Sequence, residues 1–305
     1  MTLVEEYKKS LKMAEAEELL DLAFYRPLAF GLVKIIYRLP ITPNQVTFLS
    51  LLAGLVAAYY FSTGAPEAFA IGAIWFLVAN VLDCSDGQLA RLQKSGTPLG
   101  RIVDGIVDYL VTITVFICLG IGLTKHTGDP SIWFLVIAAG LSSAFHAILF
   151  DYHQQEYISN VRGERNFLDR EIERCESELK KLKAAGGSLF RRGMLALYLH
   201  YARLQQSAQP KKDTAKQYPP DIYRTANRAV MRWWSYLGST MNRSLLIVAA
   251  LFQDPAIFLW VVIVVGNLWL LVALLWQRSS RRWLEAAVSS GSFRAPTGRN
   301  APAGV

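Results

Sequence analysis

The sequence predicts an all-α integral membrane protein with six transmembrane helices, an N-terminal interfacial helix and a cytoplasmic helical insertion between helices 4 and 5. Three observations lead to this fold class. Hydrophobic residues make up 52% of the 305 residues and occur in long runs, which suits spanning helices better than a soluble core. A long polar interval separates the fourth run from the fifth. Lysine and arginine concentrate in alternate connections, as in multi-pass chains.

The chain divides into five predicted regions. They are N-terminal cytoplasmic or interfacial helices (1–40), helices 1–4 with an acidic motif (41–151), a cytoplasmic helical insertion (152–242), helices 5 and 6 (243–278) and a cytoplasmic tail (279–305). The predicted spans cover 46–62, 68–82, 102–123, 131–150, 244–252 lengthened by 234–237, and 256–276. The tail is rich in Gly, Pro and Arg from Gly291 onward, which predicts disorder.

The N-terminal region is charged and helix-prone, and it contains no apolar core that would indicate a signal peptide. The apolar segment 27–39 is short for a span and carries Lys34 and Arg38 four residues apart. It suits a helix in the headgroup layer, or equally an amphipathic helix packed on the protein. Thr42 is a plausible N-cap, with Pro43 at the first position of the next helix.

The polar interval contains two predicted helices, a charged one at 168–183 and an amphipathic one at 189–206, with a break at 184–187. We interpret them as a cytoplasmic hairpin. It could be a solvated packing element, or it could serve dimer contact or entry of an acceptor.

Charge and cysteine usage narrow the function class. Membrane topology explains the uneven distribution of the net charge of +8, so a nucleic-acid partner is not needed to account for it. The Lys and Arg pattern predicts that both termini face the cytoplasm, as expected for a bacterial inner membrane protein. Cys84, Cys118 and Cys175 are scattered, so neither a disulfide framework nor a zinc site is indicated.

Four carboxylates stand where two apolar segments approach each other. Asp83 and Asp86 share one face of a helix, while Asp104 and Asp108 share a face of the next. Carboxylates this close to hydrocarbon are costly, and Arg101 could offset only one of them. A divalent cation would offset more, and hard oxygen ligands suit Mg²⁺ or Mn²⁺. These residues therefore predict a metal site that handles a phosphate-bearing substrate.

The spacing Asp-x2-Asp-Gly-x2-Ala-Arg-x8-Gly-x3-Asp-x3-Asp resembles the signature of the CDP-alcohol phosphotransferases. Every fixed position is present: Asp83, Asp86, Gly87, Ala90, Arg91, Gly100, Asp104 and Asp108. The resemblance implies a six-helix enzyme that uses Mg²⁺ or Mn²⁺, with two ions expected. It transfers a substituted phosphoryl group from a CDP-alcohol to an acceptor alcohol and releases CMP, in phospholipid biosynthesis.

The resemblance also implies roles for single residues. Asp83, Asp86 and Asp104 would bind metal, and Asp108 would act as general base or as a fourth ligand. Arg91 would meet the diphosphate, or it is an ordinary cytoplasmic positive charge.

Other residues of the motif are candidates for substrate binding. Gly87 and Gly100 would admit the donor to the backbone, or would pack helices closely, and Ala90 continues the face of Asp83 and Asp86 one turn on. Pro43 and Asn44 belong to a Thr-Pro-Asn-x-Val-Thr element that lies beside the nucleotide in many members of the family. Thr97 and Lys94 could touch the cytidine.

The substrates remain open between two arrangements. CDP-diacylglycerol could donate to a polar alcohol, which we favour, or CDP-choline or CDP-ethanolamine could donate to diacylglycerol. A phosphate-bearing acceptor would need cations near Asp108, for which Lys34, Arg38 and Arg101 are candidates. We expect a homodimer. An ion-coupled transporter and an inactive scaffold are the alternatives of other classes.

Overall fold

The computed structural model describes residues 3–11, 13–162, 167–186, 188–208 and 218–289. Most of these residues are helical, and no strand occurs among them. The predicted disordered tail from Gly291 lies outside the described ranges.

Twelve helices follow one another along the described chain. They are α1 (Leu3–Ser10), α2 (Arg26–Ile36), α3 (Pro43–Thr63), α4 (Pro66–Leu92), α5 (Pro98–Thr127), α6 (Ile132–Arg162), α7 (Phe167–Ala184), α8 (Leu189–Ala208), α9 (Pro220–Trp234), α10 (Ser239–Leu251), α11 (Ala256–Trp260) and α12 (Asn267–Ser289). A π-helical turn, Asp21–Tyr25, precedes α2, and a second, Val261–Gly266, joins α11 to α12.

Five helices among the described residues are long and apolar enough to cross a membrane: Pro43–Thr63, Pro66–Leu92, Pro98–Thr127, Ile132–Arg162 and Ala256–Ala287. The fifth predicted span, 244–252 lengthened by 234–237, is not confirmed. Its place is taken by α10, whose 13 residues reach only roughly 20 Å, less than the hydrocarbon thickness. Residues 234–237 do not lengthen it, because Gly238 is extended and separates them from Ser239.

The start of α3 has the predicted chemistry, and a tight turn joins α4 to α5. The Thr42 amide donates to the Gln45 side chain at 2.8 Å, and Pro43 occupies the first turn of α3. Between α4 and α5, Lys94 adopts a φ of 53°, which completes the tight turn. Thr97 then caps α5 by accepting a hydrogen bond from the Gly100 amide at 3.0 Å.

The segment that follows the fourth span differs from the predicted boundaries. Helix α6 does not end near residue 150 but continues to Arg162, because Phe150, His153 and Tyr157 are buried on one helical face beyond the span. Helices α7 and α8 form the predicted hairpin and bury a small core that includes Ile102 of α5. Helix α9 packs instead with α6 and α12, around the fully buried Trp234.

Residues 13–25 form a segment, here called the N-terminal strap, that lies across α6, α9 and α10. Gln154 of α6 donates to the Ala16 carbonyl at 2.7 Å, and Arg232 of α9 donates to the Ala14 carbonyl at 3.0 Å. Helix α2 follows and buries Ala29 and Val33 on one side. Its packing on the protein is therefore observed, while a position in the headgroup layer stays a prediction.

Candidate active site

Three aspartates from two helices converge near the turn that joins α4 to α5. Oxygen atoms of Asp83 and Asp86 on α4 and of Asp104 on α5 all lie within 4.8 Å of one another. The cause is the spacing, since three residues on α4 return to the same face and the turn at 93–97 brings α5 back beside it. We call these residues the aspartate triad.

Asp108 lies one turn further along α5, outside the triad. Arg243 of α10 donates to its carboxylate, and the same guanidinium lies 3.7 Å from Asp83 and donates to Asn80 at 3.0 Å. Sequence reasoning did not include Arg243. A signal was available, because an arginine at the edge of the apolar run 244–252 needs buried partners.

Thr47 is a second residue that sequence reasoning did not include. Its hydroxyl contacts the Asp86 carboxylate and the Pro43 carbonyl, the latter at 3.1 Å. Thr47 ends the Thr-Pro-Asn-x-Val-Thr element, so the motif itself held the signal. Asn44 lies close to Gly100, where an added Cβ would come within 3.3 Å of the Asn44 side-chain oxygen. The element therefore lies directly against the triad.

Arg91 reaches from α4 to the N-terminus of the chain. Its Nε donates to the Ser10 carbonyl, whereas its Nη2 is buried and has no hydrogen-bond partner among the described residues. A buried guanidinium nitrogen without a partner is costly. An anionic ligand could satisfy it, in agreement with the predicted phosphate contact. A Cβ at Gly87 would lie 3.4 Å from the same guanidinium.

Two cavities meet at the triad. Cavity A has a volume of about 540 Å³ and includes Asp83, Asp108 and Arg243 in its lining. Cavity B has a volume of about 290 Å³ and includes Pro43, Asn44, Thr97 and Gly100. Both are lined by the same six residues at their junction: Asp86, Gly87, Ala90, Gly96, Arg101 and Asp104. Of the predicted nucleotide residues, Pro43, Asn44, Thr97 and Gly100 line cavity B, whereas Arg91 and Lys94 line cavity A together with the predicted base Asp108.

The N-terminal strap contributes acidic residues to cavity A. Glu18 accepts hydrogen bonds from the Thr240 and Met241 amides, at 3.2 and 3.1 Å, and so caps the N-terminus of α10. Asp21 accepts from the Thr240 hydroxyl at 3.1 Å, and Glu17 pairs with Arg26 at 2.9 Å. Burial, followed by the charge of Asp21, raises the pKa of Glu18 to about 8. The carboxyl group of Glu18 is therefore largely neutral at pH 7, and the charge of Glu17 is matched by Arg26.

The triad fits divalent metal ions. Its three carboxylates offer hard oxygen ligands at one point, and the repulsion among them needs positive charge. Arg243 supplies part of this positive charge, because its guanidinium pairs with Asp108 and lies 3.7 Å from Asp83. Mg²⁺ or Mn²⁺ would be held by Asp83, Asp86 and Asp104, facing both cavities.

Comparison with known proteins agrees with this geometry. The family model for CDP-alcohol phosphatidyltransferase matches residues 40–184, so this segment is a domain of the CDP-alcohol phosphatidyltransferase family. The match includes α3, α4, α5 and the triad. The resemblance that the motif indicated is thereby confirmed.

Three relatives illustrate the range of substrates in the family. The chain is 34% identical to the bifunctional IPC transferase and DIPP synthase of Thermococcus kodakarensis, over 33% of this chain and 22% of that protein. It is 29% identical to cholinephosphotransferase 1 of Gallus gallus, over 42% and 39%. It is 29% identical to the phosphatidylinositol phosphate synthase of Mycolicibacterium smegmatis, over 50% and 66%. The matched segment therefore spans less than half of the first two relatives.

Proposed function

We propose that this protein is a metal-dependent CDP-alcohol phosphotransferase of phospholipid biosynthesis. It would transfer a substituted phosphoryl group from a CDP-alcohol, with CDP-diacylglycerol the favoured donor, to the hydroxyl of an acceptor alcohol, and would release CMP. The observation that carries the proposal is the aspartate triad at the junction of two cavities, within a domain of this family.

Each cavity suits one substrate. Cavity B, with Asn44, Thr97 and Gly100, would hold the cytidine nucleotide. Arg91, which lines cavity A beside the junction residue Gly87, would bind a diphosphate oxygen through Nη2. Cavity A would hold the acceptor, because the predicted base borders it alone. Two bound Mg²⁺ or Mn²⁺ ions would neutralise the diphosphate and stabilise CMP as the leaving group.

Asp108 would take the proton from the acceptor hydroxyl as that oxygen attacks the phosphorus. Arg243 would hold its carboxylate in position during this transfer. A fourth metal ligand is the competing role for Asp108. Loss of turnover with intact Mn²⁺ binding in Asp108→Asn supports the base, whereas loss of Mn²⁺ binding supports the ligand.

The proposal extends to the cellular setting. The five apolar helices support a multi-pass protein, and we propose the bacterial inner membrane, with the site and both termini on the cytoplasmic side where CDP-linked substrates occur. We further propose that the α7–α8 hairpin is a cytoplasmic insertion that supports the start of α5, and that the protein works as a homodimer.

A second substrate arrangement has a specific observation in its favour. One of the relatives is a cholinephosphotransferase, and its name implies a choline-bearing phosphoryl group. The same triad could serve a donor such as CDP-choline or CDP-ethanolamine, with a lipid alcohol such as diacylglycerol as acceptor. The test below therefore includes both donor types.

The test is CMP release by the purified protein in lipid nanodiscs. Labelled CDP-diacylglycerol with a panel of polar alcohols, and CDP-choline or CDP-ethanolamine with diacylglycerol, are each supplied with Mg²⁺. We expect CMP release that depends on one acceptor and is abolished by Asp104→Asn. Asp129→Asn, the same change at the remote end of α5, should leave release unchanged. No release with any donor would overturn the proposal and favour a transporter or scaffold.

A further inference from the structure

One polar side chain interrupts the apolar part of α4. Asn80 is the only amide, hydroxyl-bearing or charged residue between Glu67 and Asp83. It is 5% exposed, so its amide is held away from water. It precedes Asp83 by three residues and therefore shares a helical face with it, although it is not one of the fixed positions of the motif. A buried amide among apolar residues is costly unless it is hydrogen-bonded.

Only half of the Asn80 amide has a hydrogen-bond partner. Its Oδ1 accepts a hydrogen bond from Nη1 of Arg243 at 3.0 Å, whereas its Nδ2 is buried and has no partner among the described residues. The orientation of the amide follows from its chemistry, because a guanidinium only donates and the amide oxygen must face it. An unpaired buried NH2 group destabilises the fold. Packing alone would therefore favour an apolar side chain at position 80.

The guanidinium that Asn80 binds stands between two carboxylates with different predicted roles. Nη2 of Arg243 donates to Asp108, the predicted base, and to the Thr112 hydroxyl at 3.4 Å. Nη1 lies 3.7 Å from Asp83, a predicted metal ligand, which is beyond hydrogen-bonding distance. Nη1 donates to the neutral oxygen of Asn80 instead. The arginine is thus engaged with the base and held short of the metal ligand.

We propose that Asn80 is a positioning residue, which keeps Arg243 on Asp108 and off Asp83, so that Asp83 remains available to the metal ion. The inference rests on the proposed function, since that function assigns the metal to Asp83 and the proton transfer to Asp108. Without the Asn80 oxygen, Nη1 would turn to the Asp83 carboxylate, because a buried guanidinium nitrogen needs an acceptor. A carboxylate that is paired with arginine is a weaker ligand for a cation.

Asn80→Leu tests this assignment, because leucine has a similar size and removes both the acceptor and the unpaired NH2 group. Mn²⁺ affinity, titrated by electron paramagnetic resonance without substrate, should fall about tenfold. The kcat of CMP release should fall with it. The melting temperature of the metal-free protein should be unchanged or higher, because position 80 no longer buries an unpaired polar group. Asn80→Ala is the second variant, and it should lose Mn²⁺ affinity to the same extent even though its smaller side chain lowers the melting temperature.

A double-mutant cycle shows whether Asn80 acts through Arg243. In the Arg243→Gln background the guanidinium is absent, so adding Asn80→Leu should change Mn²⁺ affinity by less than about twofold. A purely structural role for Asn80 would lower Mn²⁺ affinity equally in both backgrounds, and that result would overturn the inference.

Ser50→Ala is the matched control for a buried polar group beside the same turn of α4. Ser50 is 4% exposed, and its hydroxyl donates to the Ala79 carbonyl at 3.0 Å, next to Asn80. Its partner is the backbone of α4 and not the guanidinium. Ser50→Ala should therefore bind Mn²⁺ as the wild type does. An equal loss of Mn²⁺ affinity in Ser50→Ala and Asn80→Leu would contradict a specific role for Asn80.

Failure of the inference is distinguishable from failure of the proposed function, because Mn²⁺ binding is measured without donor or acceptor. If no donor gives CMP, but Asn80→Leu weakens Mn²⁺ binding only when Arg243 is present, the inference stands and the transfer reaction does not. If CMP is released and Asn80→Leu binds Mn²⁺ as tightly as the wild type, the transfer reaction stands and the inference does not. Wild-type protein that binds no Mn²⁺ would overturn both.

Discussion

Arg243 on α10 donates a hydrogen bond to the carboxylate of Asp108 on α5, beside the helix pair α4–α5 that carries the aspartate triad. The same guanidinium donates to Asn80 at 3.0 Å and lies 3.7 Å from Asp83, both on α4. One side chain thus joins three helices beside the triad. An arginine that is only 12% exposed stays charged at acceptable cost only when carboxylates surround it, so each partner stabilises the others.

Replacing Arg243 by Gln should separate metal binding from turnover. The positive charge near Asp83 opposes a second cation, so its removal should strengthen Mn²⁺ binding by roughly tenfold. Turnover should fall by at least about tenfold, because Asp108 loses the group that orients it. Electron paramagnetic resonance of bound Mn²⁺ and CMP release measure the two effects. Arg243→Lys keeps the charge and should change Mn²⁺ affinity little. Weaker Mn²⁺ binding in Arg243→Gln would instead mean that the arginine organises the ligands.

The triad itself makes a simpler prediction. Asp83→Asn, Asp86→Asn or Asp104→Asn each removes one charged ligand and should lower Mn²⁺ affinity at least about tenfold. Titration followed by electron paramagnetic resonance measures this without any substrate. Asp129→Asn serves as the control, since Asp129 only caps the start of α6 through Ser131. Mn²⁺ affinity equal to that of the wild type in all three triad variants would show that these carboxylates do not form the metal site.

Helical periodicity and turn signals predicted the aspartate triad better than the contacts that surround it. The spacing of Asp83, Asp86 and Asp104 is fixed within one helical hairpin, so helical periodicity and a turn suffice to bring them together. Arg243 and Glu18 reach this region from segments far away along the chain, and periodicity carries no information about such contacts. The predicted end of α6 was wrong for a related reason. The helix continues past residue 150 because its polar extension packs against α9, a segment far away in the sequence.

Gly238 and Glu18 should be sensitive to the smallest added side chain. A Cβ at Gly238 would lie 2.1 Å from the Glu18 carboxyl carbon, although the backbone at 238 is favourable for any residue. Gly238→Ala must displace the carboxylate that caps α10 and should lower the free energy of unfolding by about 1–3 kcal/mol. Thermal unfolding and proteolysis within the strap measure it. Gly31→Ala on α2, where nothing lies within 4 Å, should be neutral or slightly stabilising.

Ile102 should hold the α7–α8 hairpin on the start of α5. It is 8% exposed and belongs to the hairpin's core with Ile172, Cys175 and Leu195. Ile102→Ala should weaken docking of the hairpin by about 2–4 kcal/mol through lost packing. Hydrogen exchange should then rise in α7 and α8 but not in α3. Ile106→Ala, one turn on and 43% exposed, is the matched control. Similar exchange in both variants would contradict a docking role for Ile102.

Glu15 should make the attachment of the strap to α9 sensitive to acid. Arg224 donates to its carboxylate at 2.8 Å and Tyr157 donates at 3.1 Å. The Arg224 hydrogen bond, with that of Tyr157, holds the pKa of Glu15 below its ordinary value of 4.5. A carboxyl group whose pKa is lower in the folded than in the unfolded state stabilises the fold above the unfolded value, and this contribution disappears as pH falls through the folded value.

Wild-type protein should therefore melt at a higher temperature than Glu15→Gln at pH 7, and the difference should shrink progressively below pH 4.5. Tryptophan fluorescence follows both melts in one detergent. The difference in melting temperature is expected to be small at every pH, because water screens this partly exposed pair. Arg224→Gln removes the other partner and should show the same narrowing with acid. A gap that keeps its size down to pH 3 would mean that packing of the strap, and not its charge, separates the two proteins.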